Sequence, residues 1–209
     1  MNLTKLSIQT FLFNAAGFIP RIISGIMIAR ILGPADRGLL TIVILYPSLF
    51  LALGNFNLGL SVIHSLGKKE YKKEEFAGSL LFFSITISIG LLMIFFTCYF
   101  FGNEYFFKNI PVSLLFLGIT ILPFNLFIYL FSSFFQGLGK IKWYNIINQL
   151  PQFLAPITVI GFWLFWKFTI LEGILVNLTG ALIVSFVIWR LIIKEVPRKW
   201  QINKKQLSL

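Results

Sequence analysis

Charge and apolarity alternate along this chain in long blocks. Uncharged runs occupy 38–67, 76–103, 109–139, 143–166 and 173–189, and a further apolar run at 6–32 is interrupted by Arg21 and closed by Arg30. A helix needs roughly 20 predominantly apolar residues to cross a bilayer. The last uncharged run is slightly short, but Arg190 and Lys194 extend it by snorkelling. Within runs such as GLLMIFFTCYFF (90–101) apolar and polar residues do not alternate, as the strands of a membrane barrel would. The pattern predicts an all-α integral membrane bundle of six transmembrane helices, approximately 6–32, 39–66, 77–101, 111–136, 144–166 and 170–193. The connections are short, with Gly33-Pro34 and Gly137-Leu138-Gly139 as turn punctuation. No predicted strand precedes Gly137-x-Gly139, so it is not a dinucleotide fingerprint. Gly54 and Gly59 bracket Asn55 and Asn57, where a bend is expected. The bundle takes residues 1–194, and 195–209 form a basic cytoplasmic tail.

Composition agrees with the pattern. Of 209 residues, 57% are hydrophobic and 12% charged, and the mean hydropathy is +0.87. A soluble domain carries about 25% charged residues, so this much apolar surface needs a lipid phase. The net charge of +11 requires no nucleic acid. With the N-terminus inside, the inner side holds Lys5, Lys68, Lys69, Lys72, Lys73, Lys140, Lys142, Arg190, Lys194, Arg198, Lys199, Lys204 and Lys205. The outer side holds only Arg30, Arg37, Lys108 and Lys167. That asymmetry predicts both termini cytoplasmic in the inner membrane, with anionic headgroups as partners of the basic side. The first apolar stretch is too long for a secretory signal and lacks its small-residue cleavage site. Cys98 is the only cysteine and forms no intrachain disulfide. The Asn-x-Thr triplets at Asn2 and Asn177 read as chance, the second being inside a span.

Polar groups at membrane depth are costly, so function is sought there. Ser7, Thr10, Asn14, Gly17, Arg21 and Ser24 fall at successive steps of three and four, one face of the first helix. Arg21 lies 11 residues from Leu32, roughly 16 Å along a helix, and Pro20 beside it predicts a kink. The seven acids all lie in loops or at helix ends. Glu172 is the one conceivable partner for a structural ion pair with Arg21. Otherwise an anion arriving from outside the chain would fit, because the arginine fork suits phosphate oxygens. Arg30 is expected to snorkel or to widen the same basic surface. On the fifth helix Asn145, Asn148, Gln149 and Gln152 share a face beside Pro151 and Pro156. On the fourth, Asn125, Tyr129, Ser132 or Ser133, and Gln136 share a side. Such groups either bond sugar hydroxyls and phosphate esters in a cavity or act as interhelical glue. His64 reads as an interfacial residue. No metal-ligand cluster, paired carboxylates or Ser–His–Asp constellation is present, so no cofactor, no metal and no enzymatic activity is expected.

Two junctions then resemble a known family. IARILGPADRGLLTIV (28–43) resembles the Arg-x-Leu-Gly-Pro-x-x-x-Gly signature at the start of polysaccharide-transporter flippases. These are the Wzx-type O-antigen and capsule translocases of the multidrug/oligosaccharidyl-lipid/polysaccharide exporter superfamily. SSFFQGLGKIKWYNIINQ (132–149) resembles their helix 4–5 junction, where a Gln-Gly-x-Gly-Lys pattern is common. The resemblance implies flipping of undecaprenyl-pyrophosphate-linked glycans by alternating access between two lobes. It also implies that basic residues lining the central cavity face the pyrophosphate, with Arg21 first and Arg30 second. Family members usually carry 12 to 14 helices, so this chain reads as the N-terminal six-helix lobe, with a second lobe or second copy as partner. Two alternatives stand beside it. A multidrug antiporter lobe would use a carboxylate at depth, which this chain lacks; the other is a non-transporting scaffold or truncated remnant. The expected substrate-binding set is Arg21, Arg30, Asn14, Asn145, Asn148, Gln149 and Gln152.

Overall fold

The computed structural model describes residues 3–55, 57–68, 73–108 and 110–196. Among them the structure is all-α, with seven helices: α1 Leu3–Gly54, α2 Leu58–Gly67, α3 Lys73–Phe106, α4 Val112–Ile119, α5 Ile121–Gly137, α6 Ile141–Phe165 and α7 Ile170–Glu195. The expected tail falls, from residue 197 onward, outside the described residues, as do Lys69 to Lys72 of the charged loop.

α1 is two helices joined at Gly33, whose φ of 76° and ψ of 175° are non-helical and open to glycine alone without strain. Pro34 opens the second arm, where its missing N–H costs nothing. In a straight helix residues 25 and 37 would stand roughly 18 Å apart. Instead the Arg37 guanidinium donates to the Gly25 carbonyl, so the two arms fold toward each other across the Gly33 turn. Pro20 lies within continuous helical backbone, and Gly33 is the non-helical residue of α1.

The second crossing is broken where the glycine–asparagine cluster predicted. Helical backbone stops at Gly54 and resumes at Leu58. Asn57 takes the left-handed conformation at φ 55°, held by an Asx turn in which Asn55 Oδ1 accepts from the Asn57 N–H at 2.9 Å. The predicted fourth helix is also two pieces, α4 and α5, with Thr120 between them. Four segments are long and apolar enough to span a bilayer: Ile8–Gly54, Lys73–Gly102, Val112–Gly137 and Ile170–Glu195. The first is long enough for two crossings. α6 has the length, 25 residues, but carries the row of carboxamides.

α5 is the central helix, packed against α1, α2, α3, α6 and α7. The core divides by level. At one end Leu66, Ala77, Phe134, Ile147, Ile192 and Val196 pack together, and Lys140 pairs with Glu195. The end of α2, the start of α3, the α5–α6 turn and the end of α7 therefore share one side of the molecule. Nearer the other end Phe50, Phe95, Phe107 and Leu115 form an aromatic-rich cluster, and Val159, Phe168 and Val176 form another with Met27 and Ile31 of α1.

Candidate functional site

The polar rows predicted on the first and fifth helices meet. Asn145 Nδ2 donates to Thr10 Oγ1 at 3.2 Å, and Gln149 Nε2 donates to Asn14 Oδ1 at 2.6 Å. Both bonds join residues 135 apart, so the first arm of α1 and α6 run parallel in constant register. That register sets Arg21 level with Pro156. Gly17 lets the two helices approach, since a Cβ there would overlap Gln149 Oε1.

Within that contact the row on α1 splits into two lines. Gly17 and Ser24, a heptad apart, are buried, and Thr10 below them is half-buried. Asn14 and Arg21, four residues on from Thr10 and Gly17, are exposed on the flank. A stripe stepping by three and four is wide enough for one edge to pack while the other faces outward. Ser24 Oγ bonds the Arg21 carbonyl at 3.1 Å, closing the helix's own ladder beneath the arginine.

The Arg21 guanidinium has neither a hydrogen bond nor an ion pair among the described residues. Its expected mate is engaged elsewhere: the Glu172 carboxylate accepts from the Thr169 backbone N–H at 2.7 Å and from the Thr169 hydroxyl, capping α7. The structural Arg–Glu pair is therefore not formed. Around Arg21 the arm presents Phe18, Ile19, Ile22 and Ile23, all exposed. A guanidinium on this apolar, unpaired flank is a fork of donors open to an incoming anion. Arg30 is exposed as well, nearer the Gly33 turn.

The row on α6 also divides. Asn145, 2% exposed, and Gln149 are taken up by α1 and serve as interhelical glue. Gln152 is half-buried, and its side chain makes no hydrogen bond among the described residues. Asn148 turns to the neighbouring flank, where it lines a pocket of about 200 Å³ with Asn125 of α5 and Asn177 of α7. A stripe at i, i+3, i+4 and i+7 covers two neighbouring directions, and two different partners occupy them. The single face expected over 145–152 is thus two faces. Asn177 was missed: it reads as a chance glycosylation triplet, yet a carboxamide inside a span carries the same depth signal as Arg21. His64 is exposed at the end of α2. No group of His, Cys, Asp or Glu that could hold a metal occurs among the described residues.

A family model described as polysaccharide biosynthesis protein matches residues 3–208, nearly the whole chain. The resemblance read at the two helix junctions holds at the level of the family. No curated protein and no solved structure matches the chain.

Proposed function

The chain belongs to the polysaccharide biosynthesis protein family, and from that premise we propose that it moves a glycan precursor on an undecaprenyl pyrophosphate carrier across the cytoplasmic membrane. In this reading Arg21 receives the phosphate group, Arg30 widens the basic surface toward the outer side, and Asn14 and Gln152 flank the path of the sugar. One observation carries it: Arg21 stands exposed on α1, 11 residues before Leu32, with no acid paired to it among the described residues. A cation retained there at about 2.5–3.5 kcal/mol of insertion cost is accounted for when an anionic headgroup passes it. A drug-cation antiporter would call for the opposite sign of charge. The exposed flank of α1 also needs cover from lipid, and a second lobe or second copy of the chain would supply the facing wall and the surface to rock against.

The test is export in cells that depend on this protein, with its membrane level monitored. Arg21→Ala is expected to lower surface glycan at least tenfold, because a charge-assisted hydrogen bond contributes about 1.5–3 kcal/mol. Arg21→Lys restores part of it, since a point charge lacks the two-pronged geometry. Full export by a normally inserted Arg21→Ala protein refutes the assignment.

A further inference from the structure

The pocket holding Asn148 lies among α5, α6, α7 and the second arm of α1, apart from the Arg21 flank. Its polar lining is Asn125, Asn148 and Asn177, set among isoleucines and without any charged side chain. Two of the carboxamides are committed in one sense. Asn148 Nδ2 donates to the Tyr144 carbonyl and Asn177 Nδ2 to the Gly173 carbonyl, each at 2.9 Å. Their amide ends are tied down on their own helices, and each Oδ1 has no partner among the described residues. The Asn125 side chain makes no hydrogen bond among the described residues. Pro151 lines the same pocket and has no N–H, so the Ile147 carbonyl four residues before it loses its usual donor. What the pocket offers is oxygen acceptors.

These acceptors lie deep. Asn125 is 12 residues from the end of α5 at Gly137, roughly 18 Å along the axis, close to mid-bilayer. Unsatisfied oxygens in that position cost free energy. An anion would find no cation in this pocket, and two of the three N–H₂ groups already donate to backbone carbonyls. A divalent ion would want carboxylates to offset its charge. A monovalent cation wants carbonyl-type oxygens, and kinked helices with freed carbonyls supply them in membrane proteins. At about 30 Å³ per water, a pocket of about 200 Å³ has room for one such ion and part of its hydration shell. We propose that Asn125, Asn148 and Asn177, with the Ile147 carbonyl, form a binding site for a partly hydrated Na⁺ inside the bundle.

The full chain in lipid nanodiscs tests this by thermal unfolding in NaCl against N-methylglucamine chloride at equal ionic strength. NaCl alone is expected to raise the melting temperature, saturably. Asn177→Leu should abolish that dependence. Asn177→Asp should keep it, with a half-saturating concentration about tenfold lower, because a full charge replaces a dipole against the ion. An equal response to both salts, or an undiminished Na⁺ response in Asn177→Leu, overturns the site. Should Asn177→Leu fail to fold, Asn125→Leu takes its place. Equilibrium binding of ²²Na⁺ to the unaltered chain decides independently: saturable binding displaced by unlabelled Na⁺ supports the site, and its absence overturns it. Neither measurement needs a glycan, so its failure is distinguishable from failure of the phosphate reading at Arg21.

Discussion

Two glycines, Gly17 and Gly118, both sit where helices touch, and they should respond differently to a methyl group. At Gly118 a Cβ would stand 2.6 Å from Val43 Cγ1 and 3.1 Å from the Val43 carbonyl oxygen. Backbone cannot swing aside, so α4 and the second arm of α1 must separate. At Gly17 the obstacle is Gln149 Oε1, the free end of a flexible side chain. Gln149 can move, at the loss of its bond to Asn14, and such bonds average about 0.6 kcal/mol in membranes. Alanine also regains about 1 kcal/mol of helix propensity at either site. Gly17→Ala is therefore expected to be near neutral, and Gly118→Ala to cost about 1–3 kcal/mol of overpacking, compared by unfolding in mixed micelles. Equal effects would contradict the packing described. At this scale the sequence was legible in part. The i, i+3, i+4 rows picked out the carboxamides by which α1 and α6 join, Asn14, Asn145 and Gln149, because polarity at depth is costly and rarely incidental. Spacing on one helix does not say which neighbour each edge of a stripe will meet. Asn145 and Asn148 are three residues apart, yet one bonds Thr10 and the other lines the inner pocket.

Helices were the most legible level, because block length follows directly from bilayer thickness. The predicted 170–193 and 144–166 match α7 and α6 within a few residues. The breaks were less so. That between Gly54 and Leu58 was readable from Asn57 and its glycines, whereas the break at Thr120 was not read from Gly118 and Pro123, which flank it. Gly33 is the turn on which the arms of α1 depend, and its φ of 76° with ψ of 175° suits no residue with a side chain. Gly33→Ala is expected to cost about 1–3 kcal/mol and to loosen the Arg37–Gly25 contact. Gly38, helical with open space around its Cβ position, provides the comparison. Gly38→Ala should leave stability unchanged or slightly raised. Loss of stability at Gly38 as large as at Gly33 would show that the turn geometry is not what matters.

For the whole molecule, fold and charge bear on orientation together. The core that gathers Leu66, Ala77, Phe134, Ile192 and Val196 draws Lys68, Lys73, Lys140, Lys142 and Lys194 to one end. Lys108 and Lys167 follow α3 and α6 at the opposite end. A cluster of lysines is held on the cytoplasmic side during insertion and is then favoured there by anionic lipid, by about 1 kcal/mol per residue near the surface. The Lys140–Glu195 pair neutralises one member without altering the sign of that end. With Cys98→Ala as background, a cysteine at Gly139 should react with a membrane-impermeant maleimide only after the membrane is opened. A cysteine at Lys167 should react in intact cells. Gly139 is exposed in the turn between α5 and α6, and Lys167 is exposed in the turn before α7, so neither result can be blamed on burial. Labelling of position 139 from outside would invert the bundle. It would place the Arg30 end of the first arm of α1 on the cytoplasmic side, and the proposed direction of phosphate passage along Arg21 would fall with it.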